Sequence, residues 1–149
     1  MTHMFYSCSS LITDYLDFSN FKTNDVEDMS YMFSECNNLE YLNLSNFNTE
    51  KVKDMSYMFY KCSNLQSLAI QNFNAMNVKN MQFMFGECYS LTSIDISKFN
   101  AASVESMANM FYNCTLLLSI NFDNFNAINV KNMSKMFYEC KSLQHISLL

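Results

Sequence analysis

The hydrophobic positions of the chain recur in a fixed order along most of its length. The unit reads F-x-x-x-x-V-x-x-M-x-x-M-F-x-x-C-x-x-L-x-x-[LI]-x-[LIF], with mostly polar residues between the apolar ones. The step is 26 residues over the last five units, as between Cys36 and Cys62, and 28 for the first, between Cys8 and Cys36. Self-similarity of this period is typical of a solenoid, in which each coil buries its apolar side chains against the next.

The first apolar group of each unit has helical spacing. Met55, Met58, Phe59 and Cys62 lie at i, i+3, i+4 and i+7, which is one face of an α-helix. The residue before the first methionine belongs to the class that caps helices in every complete unit: Asp28, Asp54, Asn80, Ser106 and Asn132. The pattern predicts a helix of about two turns in each unit.

The second apolar group predicts a short β-strand. The group formed by Leu39, Leu42 and Leu44 ends in three consecutive positions, 42 to 44, that alternate apolar, polar, apolar. Stacked units predict an α/β solenoid with short parallel strands on one face and short helices on the other. We expect residues 1–149 to form a single repeat domain of about five to six coils, partial at the N-terminus, with a small bulge between Leu11 and Leu16.

Both ends of the chain predict open apolar surface. It begins inside a unit, near Met4 and Phe5, and stops directly after a strand, at Ile146 and Leu148. We expect either a fragment of a longer array or end-to-end self-association.

The composition disfavours several kinds of partner. The net charge is -5, whereas nucleic acids and anionic membranes attract basic surfaces. The chain has no run of about 18 apolar residues, so no membrane span is predicted. The N-terminus lacks the basic start and apolar core of a signal peptide. Because the chain has no Pro and one Gly, we expect Asn, Asp and Ser to form its turns.

The cysteines, methionines and histidines predict no chemical site. Each Cys ends a predicted helix, and packed helices lie about 8–10 Å apart, too far for disulfides between adjacent coils. We therefore expect buried free thiols, no metal or other cofactor, and methionines that fill the core. His3 and His145 are far apart in the stack, so no catalytic set is predicted.

The outward face of the strands is the predicted binding surface. Alternation predicts a polar, Ser-rich, mildly acidic face, and Tyr, Ser and Asn are typical of adaptable binding surfaces. Its candidate partner-binding residues are Tyr15, Asp17, Tyr41, Asn43, Gln71, Asp95, Asn121, Asp123 and His145. A second set of aromatics lies on the helix side, at Tyr31, Tyr57, Phe83, Tyr60, Tyr112 and Tyr138, and is interpreted first as cover for neighbouring loops.

The repeat resembles a known family. The stretch K-V-K-D-M-S-Y-M-F-Y-K-C-S-N-L-Q-S-L-A-I-Q-N-F-N, residues 51–74, is similar to the Cys-containing repeat of the BspA-like leucine-rich repeat surface proteins of bacteria and some protists. The resemblance covers nearly the whole chain. It implies a right-handed α/β solenoid at the cell surface, attachment to host proteins or other cells, and no catalytic residues. One departure is that Phe47, Phe73, Phe99 and Phe125 stand where ordinary leucine-rich repeats place a ladder of Asn, so an Asn ladder would have to be displaced.

Two functional hypotheses follow. The leading one is a non-catalytic protein-binding or adhesion module of a cell-surface or secreted protein, which binds a host or neighbouring-cell surface protein through its strand face. The alternative is a structural stalk or spacer whose binding site lies in another domain. A stalk should have interchangeable coils, whereas Tyr15 and Tyr41 cluster at one end of the predicted face.

Overall fold

Five short parallel strands mark successive coils in a computed structural model that describes residues 1–13 and 16–148. They are β1 (Tyr41–Asn43), β2 (Ser67–Ala69), β3 (Ser93–Asp95), β4 (Ser119–Asn121) and β5 (His145–Ser147). Within each sheet a strand residue pairs with the residue one repeat further on, as Tyr41 does with Ser67. The strands form one pair, β1–β2, and one three-stranded sheet, β3–β4–β5. The predicted parallel strands are confirmed.

The alternation of the strands is also confirmed. In β1 and β3 the middle residue is buried and its two neighbours are exposed, so Leu42 and Ile94 enter the core. The predicted bulge between Leu11 and Leu16 includes Asp14 and Tyr15, which lie outside the described residues.

The predicted helices are wrong. Residues 1–13 and 16–148 contain no α-helix, and successive tight turns occupy the segment where each helix was expected. The reason is the use of the backbone N–H groups. Those of Met55, Tyr57 and Phe59 donate to the next coil, at Asn80, Gln82 and Met84, with N···O distances of 3.0, 2.9 and 2.9 Å. A helix that begins after Asp54 would need the Phe59 N–H for the Met55 carbonyl four residues back.

Left-handed residues make this backbone possible. The other N–H groups of the segment close turns within the coil, as Tyr60 N–H does on the Tyr57 carbonyl at 3.1 Å. Two residues per segment then take positive φ, for example Tyr57 at 58° and Lys61 at 58°. The left-handed conformation costs a non-glycine residue roughly 1–2 kcal/mol. The interactions between coils must offset that cost repeatedly, since the same two positions are left-handed in every coil.

The side chains nevertheless face as the periodicity predicted. Met55, Met58, Phe59 and Cys62 are fully buried. The phenylalanines that follow the second methionine of each unit form one continuous stack, with ring centroids 5.2–5.8 Å apart, through Phe5, Phe33, Phe59, Phe85, Phe111 and Phe137. Two methionines of the inward columns depart from the prediction of a buried core: Met4 and Met133, in the first and last coils, are 50% and 58% exposed. Met76, outside these columns, is also exposed.

Polar side chains tie the turns together, as the lack of Pro and Gly predicted. The residues expected to cap helices instead close tight turns, since Asp54 Oδ1 accepts the N–H of Ser56 at 2.7 Å. The Asn ladder is displaced by one residue: Asn46 Nδ2 donates to the carbonyl of Phe18 at 2.5 Å, and Asn72 Nδ2 to that of Ser45 at 2.6 Å. Each of these amides crosses to the preceding coil, which stabilises the stack.

All six cysteines are free thiols, and four of them are buried as predicted. Cys8 and Cys140 are half-buried. The predicted reason, a helix separation of about 8–10 Å, is wrong, because neighbouring backbones are hydrogen-bonded and so lie about 4.8 Å apart. Each thiol from Cys36 onward donates instead to a phenylalanine carbonyl of the coil before it, for example Cys88 Sγ to Phe59 O at 3.1 Å. Burial raises the pKa of Cys36 to about 12 and the pKa of Cys88 well above its ordinary value.

Candidate functional site

The strands hold five of the predicted binding residues, and four of these five are exposed. Tyr41 and Asn43 are exposed on β1, Asp95 on β3 and His145 on β5. Gln71 and Asp17 are also exposed, whereas Asn121 and Asp123 are half-buried. Tyr15 lies outside the described residues, so the predicted pair with Tyr41 stays a prediction.

Register aligns the polar side chains of this face into rungs. Asp95 pairs with Asn121 and Asn121 with Ser147, while Ser93, Ser119 and His145 form the neighbouring rung. A shallow cavity of about 310 Å³ lies over the three strands and is lined by Ser93, Ile94, Asp95, Ser119, Ile120, Asn121, His145 and Ser147. This depression has both polar and apolar lining, and its polar groups are an acid, an imidazole, an amide and hydroxyls.

Part of the polar chemistry of the face is already used by the fold. Oδ1 of Asn43, Asp95 and Asn121 each accepts the backbone N–H two residues later, at 3.0, 2.9 and 2.9 Å. Asp17 makes the same bond to Ser19 at 2.8 Å, and that hydrogen bond holds the pKa of its carboxyl below the ordinary value. The Asp123 carboxylate accepts the hydroxyl of Ser147. These side chains therefore close the turn after each strand, a role that alternation alone did not reveal.

The aromatics on the opposite side form a ladder rather than a set of separate anchors. Rings stack from His3 to Tyr31, Tyr57 and Phe83, with centroids 4.6, 4.6 and 5.0 Å apart. Neighbours cover the ring faces, so Tyr31, Tyr57 and Phe83 are half-buried. The ladder reinforces the turn segments, close to the covering role that the sequence predicted.

A carboxylate joins two tyrosines beside this ladder. Glu87 accepts hydrogen bonds from the hydroxyls of Tyr60, at 2.8 Å, and Tyr89, at 2.7 Å. The hydrogen bond to Glu87, with burial, raises the pKa of Tyr89 to about 12. The pKa of Tyr60 is also raised, with burial as the larger cause and the hydrogen bond to Glu87 as the second. The cluster keeps both phenols protonated and fixes the turn face.

An apolar cavity of about 250 Å³ lies at the last coil. Its lining includes Met133, Met136, Phe137, Ile146 and Leu148, the core-facing positions of that coil. In every earlier coil the next coil covers the corresponding core-facing positions. Within residues 1–13 and 16–148, no group of three or more His, Cys, Asp or Glu is arranged to hold a metal ion. The same residues include no helix that is long and apolar enough to cross a membrane.

One surface was missed by the reasoning from sequence. Beyond the inward Val of each coil stands a column of charged side chains, Glu27, Lys53, Lys79, Glu105 and Lys131. Its constant step of 26 residues was visible in the sequence, but charge was considered there only as a net total. Ion pairs link it from coil to coil, as between Lys53 and Glu27 at 2.7 Å.

The stacked coils define a leucine-rich-repeat-type solenoid, and comparison with known proteins agrees. The fold is similar to that of a leucine rich cell surface protein from Faecalibacterium prausnitzii A2-165, with a TM-score of 0.52 and 20% identity over 81% of this chain and 28% of that one. It is also similar to a leucine-rich repeat protein from Bacteroides ovatus ATCC 8483, with a TM-score of 0.51 and 22% identity over 83% of this chain and 34% of that one. The chain thus spans about a third or less of each.

The chain belongs to the family described as "Mycoplasma protein of unknown function, DUF285", whose sequence profile matches residues 1–69 and 35–148. This is a BspA-like repeat family, so the resemblance inferred from the repeat is confirmed. No curated protein matches the chain.

Proposed function

We propose that this chain is a non-catalytic protein-binding module of a cell-surface or secreted protein, and that it contacts its partner through the strand face. The observation that carries the proposal is the in-register polar surface over β3, β4 and β5, with Asp95 and His145 exposed. Solenoids use such extended surfaces for binding because neighbouring coils present side chains at a regular spacing.

The location and the type of partner rest on similarity. One protein of similar fold is described as a leucine rich cell surface protein. The BspA-like resemblance implies attachment to a surface protein of a host or of a neighbouring cell. Tyr41, which is 43% exposed at one end of the face, adds a large amphipathic side chain of the type enriched at interfaces.

Binding of the labelled 149-residue chain to cultured cells would test the proposal. We expect saturable binding that falls at least tenfold in a variant carrying Tyr41→Ser, Asp95→Asn and His145→Ser. Asn at position 95 keeps the acceptor that closes the turn after β3, so the fold is preserved. The matched control carries Asn38→Ser and Asn64→Ser, at exposed positions outside the strands.

Equal loss in the control would contradict a role for the strand face. Absence of saturable binding by the unmodified chain to cells or purified surface proteins would favour the alternative, a stalk or spacer segment. A stalk also predicts that exchanging the exposed residues of β1 and β3 between coils changes nothing that can be measured.

A further inference from the structure

Neighbouring side chains of the charged column have opposite charges, with one exception. Its members are Glu27, Lys53, Lys79, Glu105 and Lys131, the residues that follow the inward Val of five successive coils. Their backbones are in register, since Lys53 N–H donates to the Glu27 carbonyl at 2.7 Å and Lys79 N–H to the Lys53 carbonyl at 2.8 Å. Hydrogen-bonded neighbours at this spacing, about 4.8 Å, place each charge beside the next.

Three of the four contacts along the column are ion pairs. Lys53 lies 2.7 Å from Glu27, Lys131 lies 2.7 Å from Glu105, and Lys79 lies 3.6 Å from Glu105. The remaining contact joins Lys53 to Lys79, two like charges on adjacent coils. Like charges in adjacent positions of a ladder are unfavourable, so an anion between them would be stabilised.

A cavity lies at that position. It measures about 370 Å³ and is lined by Glu27, Lys51, Lys53, Asn77 and Lys79; we call it the lysine notch. Lys51 and Lys53 each donate one hydrogen bond, to Asp25 at 2.6 Å and to Glu27 at 2.7 Å. An ammonium group has three N–H donors, so two remain on each.

Lys79 is the least satisfied of the three cations. Its nearest carboxylate oxygen, on Glu105, is 3.6 Å away, beyond hydrogen-bonding distance, and Glu105 is held more closely by Lys131. Of the acids paired with these lysines, Glu27 lines the notch but is held by Lys53, and Asp25 is held by Lys51. Glu105 lies one coil beyond Lys79 and is not part of the lining. The space between Lys53 and Lys79 is therefore a local cationic position on a chain whose net charge is -5.

We propose that the lysine notch receives an acidic side chain of a protein partner, whose carboxylate bridges Lys53 and Lys79 and completes the alternation of charge along the column. The occupant is an Asp or Glu because a carboxylate is the group that already pairs with each of the neighbouring lysines. The contact guides the orientation of the partner and speeds its association more than it supplies affinity, since it lies at the surface.

A titration of the labelled 149-residue chain with a capped hexaglutamate peptide, followed by NMR at low salt, tests the notch independently of any binding by the strand face. We expect the backbone signals of residues 51–53 and 77–79 to shift, and a Gly-Ser hexapeptide to shift none of them. Lys53→Gln and Lys79→Gln should each weaken the binding by about 1.5- to 5-fold, the range for exposed ion pairs.

Two variants separate the notch from general attraction of charges. Glu105→Gln should strengthen peptide binding, because it releases Lys79 from its present carboxylate. Lys98→Gln, which removes an exposed lysine outside the column, should leave the titration unchanged. Equal loss in Lys98→Gln, an unchanged Glu105→Gln, or no shift at residues 51–53 and 77–79 would overturn the proposal. So would inorganic sulfate that shifts these residues while the acidic peptide does not.

Discussion

The strand side and the turn side of each coil join their neighbours by different means. On the strand side, extended residues pair in register, as Leu42 does with Leu68. On the turn side, every second N–H crosses to the next coil while the others close turns, and two residues per coil become left-handed. Both sides bury apolar side chains and both are paired from coil to coil. The comparison shows that the periodicity of apolar residues predicts which side chains point inward. It does not predict which acceptors the backbone N–H groups bind.

The largest expected effect tests whether the turn side carries a real core. Phe85 is fully buried, between Phe59 at 5.6 Å and Phe111 at 5.3 Å. Phe85→Ala should lower the free energy of unfolding by about 3–5 kcal/mol, the range for truncating a buried Phe. Phe5→Ala, in the half-buried first coil, should cost clearly less. Chemical denaturation measures both, and equal losses would contradict a stack in which central coils have two neighbours.

A second substitution distinguishes the turn segment from a helix, because the change in stability should have the opposite sign in the two structures. A Cβ added at Gly86 would lie 2.7 Å from Phe83 Cδ1 and 3.2 Å from Tyr60 Cδ2. Gly86→Ala should therefore destabilise the protein by about 1–3 kcal/mol through overpacking. In a helix the same change would stabilise by roughly 0.5–1 kcal/mol.

Relief of the clash provides the control for Gly86→Ala. Phe83→Asn places at this position the residue that Asn109 supplies one coil later, and it removes the obstructing ring. In the Phe83→Asn background, Gly86→Ala should cost less, as thermal or chemical unfolding would show. An identical cost in both backgrounds would mean that the ring contact is not the cause.

A third test introduces the same residue on both sides. Asn109 has a φ of 57°, a region that β-branched residues strongly avoid. Asn109→Val should lose about 1–2 kcal/mol of stability. Ser93→Val, at an exposed position of β3, should be neutral or slightly stabilising because Val favours strands. Comparable results for the two variants in denaturation experiments would contradict the left-handed conformation at Asn109.

The strands, the repeat and the inward columns could be predicted because they depend on side-chain burial. Leu42 and Ile94 alternate with polar residues, and Phe59 and Cys62 recur at constant spacing, so the sequence records where they must point. The turn backbone could not be predicted in the same way. Met, Phe and Cys at i, i+3, i+4 and i+7 face inward both in a helix and in this chain of turns.

The residues at positive φ explain why the local signal for these turns is weak, since only one coil has Asn at both left-handed positions, Asn109 and Asn113. Tyr57 and Lys61 are not the Gly or Asn that normally mark a left-handed position. Their conformation is imposed by pairing with the next coil, a non-local interaction. On the strand face the feature that was missed is local: Asp95 and Asn121, predicted as partner-binding residues, each use one side-chain oxygen to accept the backbone N–H two residues later.

The effect that is smallest at neutral pH concerns the thiols, which lie only on the turn side. Burial raises the pKa of Cys36 to about 12, and raises the pKa values of Cys62 and Cys88 well above the ordinary value of 9.0. Above about pH 9 the unfolded chain loses these protons while the folded chain keeps them, so the free energy of unfolding falls as pH rises. Each buried thiol should contribute a slope that rises to about 1.4 kcal/mol per pH unit once the thiol of the unfolded chain is fully ionised.

Unfolding of the reduced protein between about pH 8 and pH 10 would measure this slope. Cys88→Ala should make it shallower by the share of one thiol, up to about 1.4 kcal/mol per pH unit, whatever the substitution costs at neutral pH. Ser93→Ala, on the exposed strand face, should leave the slope unchanged. A slope that does not depend on Cys88 would mean that its thiol ionises equally in both states. The hydrogen bond from its Sγ to the Phe59 carbonyl, at 3.1 Å, would then not keep the proton in the folded chain, and the side of the coil built from turns would be no more sensitive to alkali than the side built from strands.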